Sequence, residues 1–377
     1  MVPPGSSLGL YLHFPWCVRK CPYCDFNSHP LRGALAEADY LAALQADLEQ
    51  TLTDVPEGVI DTVFCGGGTP SLFSAEAFAV LLKRLAPWLA AGAEITLEAN
   101  PGTVEHHDFA AYRAAGINRL SLGAQSFDAA QLERLGRIHG PAETGQAFRR
   151  ARAGGFDNIN LDIMYGLPEQ TAAAALADLE QAIALEPEHV SWYELTIEPK
   201  TEFARRPPRL AVEAEVAEME QRGLALLAAS GYRRYEVSAF ARPGRQCRHN
   251  LNYWTFGDYL GAGAGAHGKR SRVDGDTLLV ERTRKASQPR RYMADPTGTE
   301  RYPVSADQLP FEFMMNALRL VDGVDAARFP AATGLDRRSL EPEWQTLAEQ
   351  GLLAGDRLAA TPLGLRHLDA VLQRFLK

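Results

Sequence analysis

The sequence predicts an α/β fold: an open, partial (β/α)6 TIM-like barrel followed by a small winged-helix-like domain. Three observations point there. Through the first 200 residues, a short β-rich run, a polar or glycine-rich turn and a helix-period stretch recur in that order. Six such units fall short of the eight that close a barrel. After about Ala211 the pattern changes, and a separate module occupies residues 305–377.

The candidate strands are residues 8–14, 59–65, 94–99, 118–125, 158–164 and 190–197. Between them lie helical periods: Leu41, Leu44, Leu48 and Leu52 make one apolar stripe, and Phe78, Leu81, Leu82 and Leu85 another. Both stripes read as core. Ser74, Asp128 with Gln131, and Thr171 supply helix starts. Alternation at this spacing implies a parallel sheet with right-handed crossovers.

Further on, a helix over 213–230 leads to a strand over 234–240, then to a glycine- and aromatic-rich segment from Cys247 to Gly268. We therefore divide the chain into a barrel (1–240), a connecting region (241–304) and the terminal module (305–377). That module reads as two helices, a strand pair around 352–360 and a final helix. The order resembles a winged helix, but 8 Lys+Arg against 10 Asp+Glu argue for protein packing or a lid, not DNA.

The composition is that of a soluble globular protein, with 46% hydrophobic and 23% charged residues. A net charge of −8 speaks against nucleic acid as a partner. The basic stretches at 205–209 and 284–291 lack interleaved aromatics and read as solvated loops. No signal peptide or long apolar run is evident, which places the protein in the cytoplasm, with room for peripheral attachment at the inner face of the membrane. Five cysteines in a reducing compartment point to ligation or chemistry rather than disulfides.

Three of those cysteines, Cys17, Cys21 and Cys24, form a CxxxCxxC loop just after the first strand. Three thiolates on one loop can hold three irons of a cubane cluster and leave the fourth open to a chelating ligand. A Cys₃His zinc site completed by His13 or His29 is the alternative. The other strand ends weigh against zinc. Strand two ends at Gly66-Gly67-Gly68-Thr69-Pro70, strand three at Glu98, strand four at Gln125, strand five at Asp162 and strand six at residues 194–196. In parallel α/β barrels chemistry sits where strands end, and here polar groups converge on one rim from every strand. The glycines let backbone approach a ligand closely. Glu98 and Asp162 can accept from ribose hydroxyls or an ammonium, and Arg137 can pair with a carboxylate.

The CxxxCxxC loop followed by GGGTP resembles the radical S-adenosylmethionine (SAM) superfamily. The wider match, from YLHFPWC at residues 11–17 to GLP at 166–168, resembles the branch that holds oxygen-independent coproporphyrinogen III oxidase and the HemW-type heme chaperones. The resemblance covers most of the chain. It implies a [4Fe–4S] cluster on Cys17, Cys21 and Cys24. It also implies SAM contacts from Tyr11, Tyr23, Gly67, Gly68, Thr69, Glu98, Gln125, Arg137 and Asp162. Thr196 and His267 lie at further family contact positions.

Two features separate the branches. The oxidase carries a further cysteine two places after the third, where this chain has Phe26, and a longer stretch before its cysteines. The HemW-type proteins carry HNxxYW, matched by His249, Asn250, Tyr253 and Trp254. In that family the histidine is implicated in heme binding, and imidazole ligation with aromatic cover suits a porphyrin. On the residues alone, a loop packed against the barrel reads better; the resemblance favours heme. The GxGxxG match at Gly263–Gly268 opens no βαβ unit, so a dinucleotide site is not expected. Cys65 and Cys247 read as core thiols.

The resemblance thus implies a heme chaperone that binds heme, SAM and a [4Fe–4S] cluster and delivers heme to respiratory apoproteins. The resemblance further implies an electron donor for the cluster and a homodimer. The rival is an oxidase that decarboxylates coproporphyrinogen III.

Overall fold

Residues 8–102, 108–275, 277–355 and 357–376 are described by a computed structural model. Strand β1 (Leu8–Phe14) shows how the sheet is built: Leu8, Leu10, Leu12 and Phe14 are buried against helices, while Gly9, Tyr11 and His13 face the barrel interior. The strand is covered on both faces, as parallel strands are. Two short strands, β2 (Trp16–Cys17) and β3 (His29–Pro30), pair across the cysteine loop. The remaining barrel strands are β4 (Ile60–Gly67), β5 (Leu89–Ala99), β6 (Arg119–Gln125), β7 (Ile159–Tyr165) and β8 (His189–Glu194). A hairpin follows, β9 (Arg233–Glu236) with β10 (Ala239–Ala241), and then β11 (Asp258–Gly263), β12 (His267–Asp274), β13 (Thr277–Arg284) and β14 (Glu300–Pro303).

These make a 12-stranded sheet in the order β14-β13-β12-β11-β1-β4-β5-β6-β7-β8-β10-β9. The six expected strands are present and parallel. β8, however, stops at Glu194, and the strand expected over 234–240 is an antiparallel hairpin. β11 runs parallel to β1, a seventh parallel strand inside a segment whose small residues give little strand signal. Glycine is what admits it: a Cβ on Gly263 would lie 2.4 Å from the His13 carbonyl oxygen. Ser74, Asp128 and Thr171 all cap helices through their side chains, as expected.

A second apolar core holds the terminal module together through Phe313, Met314, Phe329, Trp344 and Leu358, and it draws in Phe256 and Val280 from the connecting region. Three α-helices precede the strand pair rather than two, because Arg328–Thr333 is helical. The pair itself shrinks to isolated antiparallel bridges at Leu353–Ala360 and Val324–Leu358. No helix among the described residues is long and apolar enough to cross a membrane.

Candidate functional site at the strand ends

Strand alternation makes the barrel interior polar. Thr62, Phe64 and Gly66 of β4, Glu94, Thr96 and Glu98 of β5, and Ser121, Asp162 and Ser191 from the next strands share the inward side, with Asp162 opposite Ser191 in register. At the C-terminal ends this surface opens into a cavity of about 480 Å³. It is lined by Cys17, Cys21, Cys24, Tyr23, Gly67, Gly68, Thr69, Glu98, Gln125, Arg137, Asp162 and Thr196. The rim read from the sequence is thus assembled in space.

The glycine strap is tied to the cysteine loop by backbone. Gly68 N–H donates to the Phe14 carbonyl and Thr69 N–H to that of Trp16, each at 2.7 Å. A Cβ on Gly68 would sit 2.5 Å from the Trp16 carbonyl oxygen, and one on Gly67, whose φ is +114°, would sit 2.5 Å from the His13 ring. The loop is braced from below by Asn27, which donates to the Ala264 and Ser287 carbonyls. The GxGxxG stretch therefore serves as a turn between β11 and β12 that supports the cysteine loop.

Burial pushes the Cys17 and Cys24 thiols above their usual range, a cost that a cation bound beside them would offset. Among the described residues no three His, Cys, Asp or Glu side chains converge on a single-ion geometry. Both candidate zinc histidines are otherwise engaged. His13 accepts from the Tyr11 hydroxyl and donates to the Asn27 carbonyl, and His29 Nε2 faces Asn27 and the Ser287 carbonyl. Thiols spread along one loop fit a cluster that offers each its own iron.

Glu98 and Asp162 share the cavity wall. Burial, then the nearby Asp162, raises Glu98 to about 8 against the opposing Gly67 N–H, which donates to it at 3.1 Å. Burial also raises Asp162, opposed by hydrogen bonds from Asn160, Ser121 and Ser191 and by Arg137. Gln125 adopts a positive φ of 69°, a conformation a non-glycine residue holds only when its surroundings fix it. There its Oε1 accepts from the Tyr193 hydroxyl at 2.7 Å.

Sequence reasoning missed Tyr193, Ser121 and Asn100, which also line the cavity. The register would have found the first two: Ser121 and Tyr193 alternate onto the same inward side as Asp162. Two expected SAM contacts lie elsewhere. Tyr11 is half-buried behind the rim with its hydroxyl on His13, and His267 is exposed at the start of β12. Neither lines the cavity.

His249, expected at heme, is set apart from the cavity. It sits on the helix Arg248–Trp254, which packs on β4, β1 and β11 at the opposite end of the barrel. Thr62, its partner, is five residues before Gly67, about 16 Å of strand. The ring is 1% exposed. Nδ1 pairs with Thr62 Oγ1 and Nε2 with the Tyr253 hydroxyl, each at 2.8 Å, and the ring stacks on Phe64. The imidazole is enclosed here: burial drives it neutral, to about 3, with Nδ1 tying the helix to Thr62 of β4 and Nε2 on Tyr253 of the same helix. Cys247 and Cys65 are both buried, as expected of core thiols.

Comparison with known proteins decides the family. Residues 11–182 match the radical SAM superfamily and residues 304–367 the HemN C-terminal domain. Over 379 aligned residues the chain is 47% identical to the heme chaperone HemW of Escherichia coli, covering 100% of this chain and 99% of that protein. The chain belongs to the HemW family. Another HemW, from Haemophilus influenzae, is 45% identical over 100% of this chain and 99% of its own, and the HemW of Bacillus subtilis is 34% identical over 91% and 92%. The solved coproporphyrinogen III oxidase (HemN) of Escherichia coli, a radical SAM enzyme, has the same fold: TM-score 0.76 at 23% identity, covering 99% of this chain and 90% of that one. Phe26 stands exposed beside the cavity, and the HNxxYW helix buries His249 and Asn252.

Proposed function

We propose that this protein is a heme chaperone: it binds heme, carries a [4Fe–4S] cluster on Cys17, Cys21 and Cys24, binds SAM at the strand-end rim, and passes heme to respiratory apoproteins. The observation that carries the reading is the full-length identity of 47% to a heme chaperone, joined to a three-thiol loop over a polar cavity. When bound, the cluster supplies one electron beside SAM, received from a separate donor protein.

The chain's own residues divide the work of holding SAM. Arg137 suits a carboxylate, since its buried Nε finds no acceptor among the described residues. Glu98 and Asp162 suit hydroxyls or an ammonium, and Gly67–Thr69 present backbone at close range. His249 supports heme binding from behind, by fixing Tyr253 and the helix that carries it. A homodimer and attachment at the inner membrane face belong to the same reading.

The deciding experiment combines anaerobic reconstitution with hemin titration and a coproporphyrinogen III assay. The reading expects roughly four irons and four sulfides per chain, an EPR spectrum altered by SAM, and saturable hemin binding without porphyrinogen turnover. Sustained turnover would put the oxidase in its place.

A further inference from the structure

Beneath the Asp162 carboxylate, the barrel interior holds a row of polar side chains that stay out of the cavity. Sheet register sets the row: Ser121 of β6 pairs with Asn160 of β7, and Asn160 with His189 of β8, one rung below Asp162 and Ser191. Asn160 and Asp162 are two apart on one strand, so both point inward. Asp162 lines the cavity, while Asn160, 4% exposed, does not.

Four hydrogen bonds use the whole Asn160 amide. Its Nδ2 donates to Asp162 Oδ1 at 2.8 Å and to Ser121 Oγ at 2.7 Å. Its Oδ1 accepts from His189 Nδ1 at 2.6 Å and from Ser191 Oγ at 3.1 Å. Ser121 Oγ in turn donates to Asp162 Oδ2 at 3.0 Å, so both carboxylate oxygens are held from below. A carboxylate only accepts, so the amide must face it with nitrogen. His189 enforces that orientation, because its Nδ1–H needs the amide oxygen on the other side.

The His189 ring is fixed in its turn. Burial, and then the Arg119 charge, hold it well below its ordinary range, hence neutral. With Nδ1 donating, Nε2 accepts, and the Tyr235 hydroxyl donates to it at 2.9 Å. That hydroxyl accepts the Cys247 N–H at 3.3 Å, which leaves its own proton for His189. Every donor in the series Tyr235, His189, Asn160 therefore points toward Asp162, and each bond polarises the next. The remaining lone pairs of the carboxylate are left to the cavity.

We propose that Asn160 is a positioning residue of the SAM site: backed by His189 and Tyr235, it holds the Asp162 carboxylate in the orientation that receives hydroxyl or ammonium donors of the ligand. The assignment rests on the SAM reading above. Asn160 touches no ligand and acts through Asp162 alone. A carboxylate free to turn would lose part of its binding energy to its own ordering.

The test measures SAM binding to full-length, anaerobically reconstituted protein by equilibrium dialysis, with iron content and thermal unfolding recorded alongside. Asn160→Leu keeps the branched shape and deletes all four hydrogen bonds, whereas His189→Phe keeps a ring and deletes only the outer support. Asn160→Leu should weaken SAM about tenfold, the scale on which a site suffers when the outer partner of a ligating group is lost. His189→Phe should weaken it less, and neither should change the iron content. In an Asp162→Asn background neither substitution should weaken SAM further, although both should still lower the melting temperature. That non-additivity marks a residue acting through Asp162, which a merely structural role does not produce. Should Asn160→Leu fail to fold, His189→Phe and Tyr235→Phe carry the same comparison. Variants that fold and bind SAM as wild type does, or lose equal affinity in both backgrounds, would overturn the positioning role and leave the SAM reading standing. Wild-type binding by Asp162→Asn alone would leave Asn160 nothing to position. If wild type itself binds no SAM, the rim reading fails, and the positioning role with it.

Discussion

Arg137 reaches from the turn after the helix Ala129–Arg134 to the cysteine loop: its Nη1 lies 3.6 Å from Cys21 Sγ, while Nη2 donates to the Gly123 carbonyl at 2.7 Å. One guanidinium thus touches the cysteine loop and a barrel strand at once. Its Nε is buried and without an acceptor among the described residues.

Arg137→Lys should therefore separate SAM binding from cluster assembly. Lysine keeps the charge but cannot span both anchors and a third partner, because its donors radiate from one nitrogen. Iron content should stay near wild type, while SAM affinity should fall about tenfold or more, the scale of a lost charge-assisted pair. Titrating SAM against the EPR signal of the reduced cluster reads both. An unchanged SAM titration removes Arg137 from the site.

Gly68→Ala should damage cluster retention without touching a cysteine. The added methyl would meet the Trp16 carbonyl, backbone immediately before Cys17, which cannot move without moving the ligand loop. The expected result is substoichiometric iron and faster bleaching in air, with helix and strand content preserved by circular dichroism. Full iron loading would show that the loop gives way at no cost to the cluster.

These residues also mark how far the sequence could be read. The cysteine loop, the glycine strap and the acids at the strand ends announce themselves because each is confined to a few contiguous positions after a strand. Tyr193 and Ser121 do not: they enter the cavity through strand alternation and register, which only the paired sheet fixes. β11 escaped because Gly261 and Gly263 are there for close approach to neighbouring backbone, and that need overrides their poor strand propensity. His249 was legible as a motif but not as a geometry. Its burial depends on Thr62, 187 residues away, and on Phe64.

The Glu98 carboxyl gives the cluster-free protein a pH signature. Its folded value of about 8 lies above the ordinary 4.5, so the folded state holds a proton that the unfolded chain releases earlier. The stability this contributes is present at acid pH and is lost as pH rises from the ordinary value through about 8. Glu98→Gln, which mimics the protonated form, should melt close to wild type at pH 5 and above it at pH 8.5. Equal melting temperatures at both pH values would mean that the carboxylate ionises in place without cost.

The pair Thr62–His249 tests whether the histidine of HNxxYW acts on heme directly or by holding the helix. Thr62→Val keeps the side-chain shape and deletes the hydroxyl, leaving His249 Nδ1 buried without its partner. That should destabilise the heme-free protein by about 1–3 kcal/mol. His249→Ala loses both hydrogen bonds and the stacking on Phe64, and leaves a cavity, so about 2–4 kcal/mol is expected. In the positioning role, both variants loosen Tyr253 and the helix that carries it, so both should weaken hemin binding in the order of their stability losses. The Soret band of the heme that remains bound should keep its wild-type position, because the iron's ligands are unchanged. A ligand role predicts a different pattern: His249→Ala shifts the Soret band, while Thr62→Val, which leaves the imidazole present, weakens binding little. Denaturant melts and hemin titrations of the two variants side by side distinguish these outcomes, and a Soret shift confined to His249→Ala would return the imidazole to the iron.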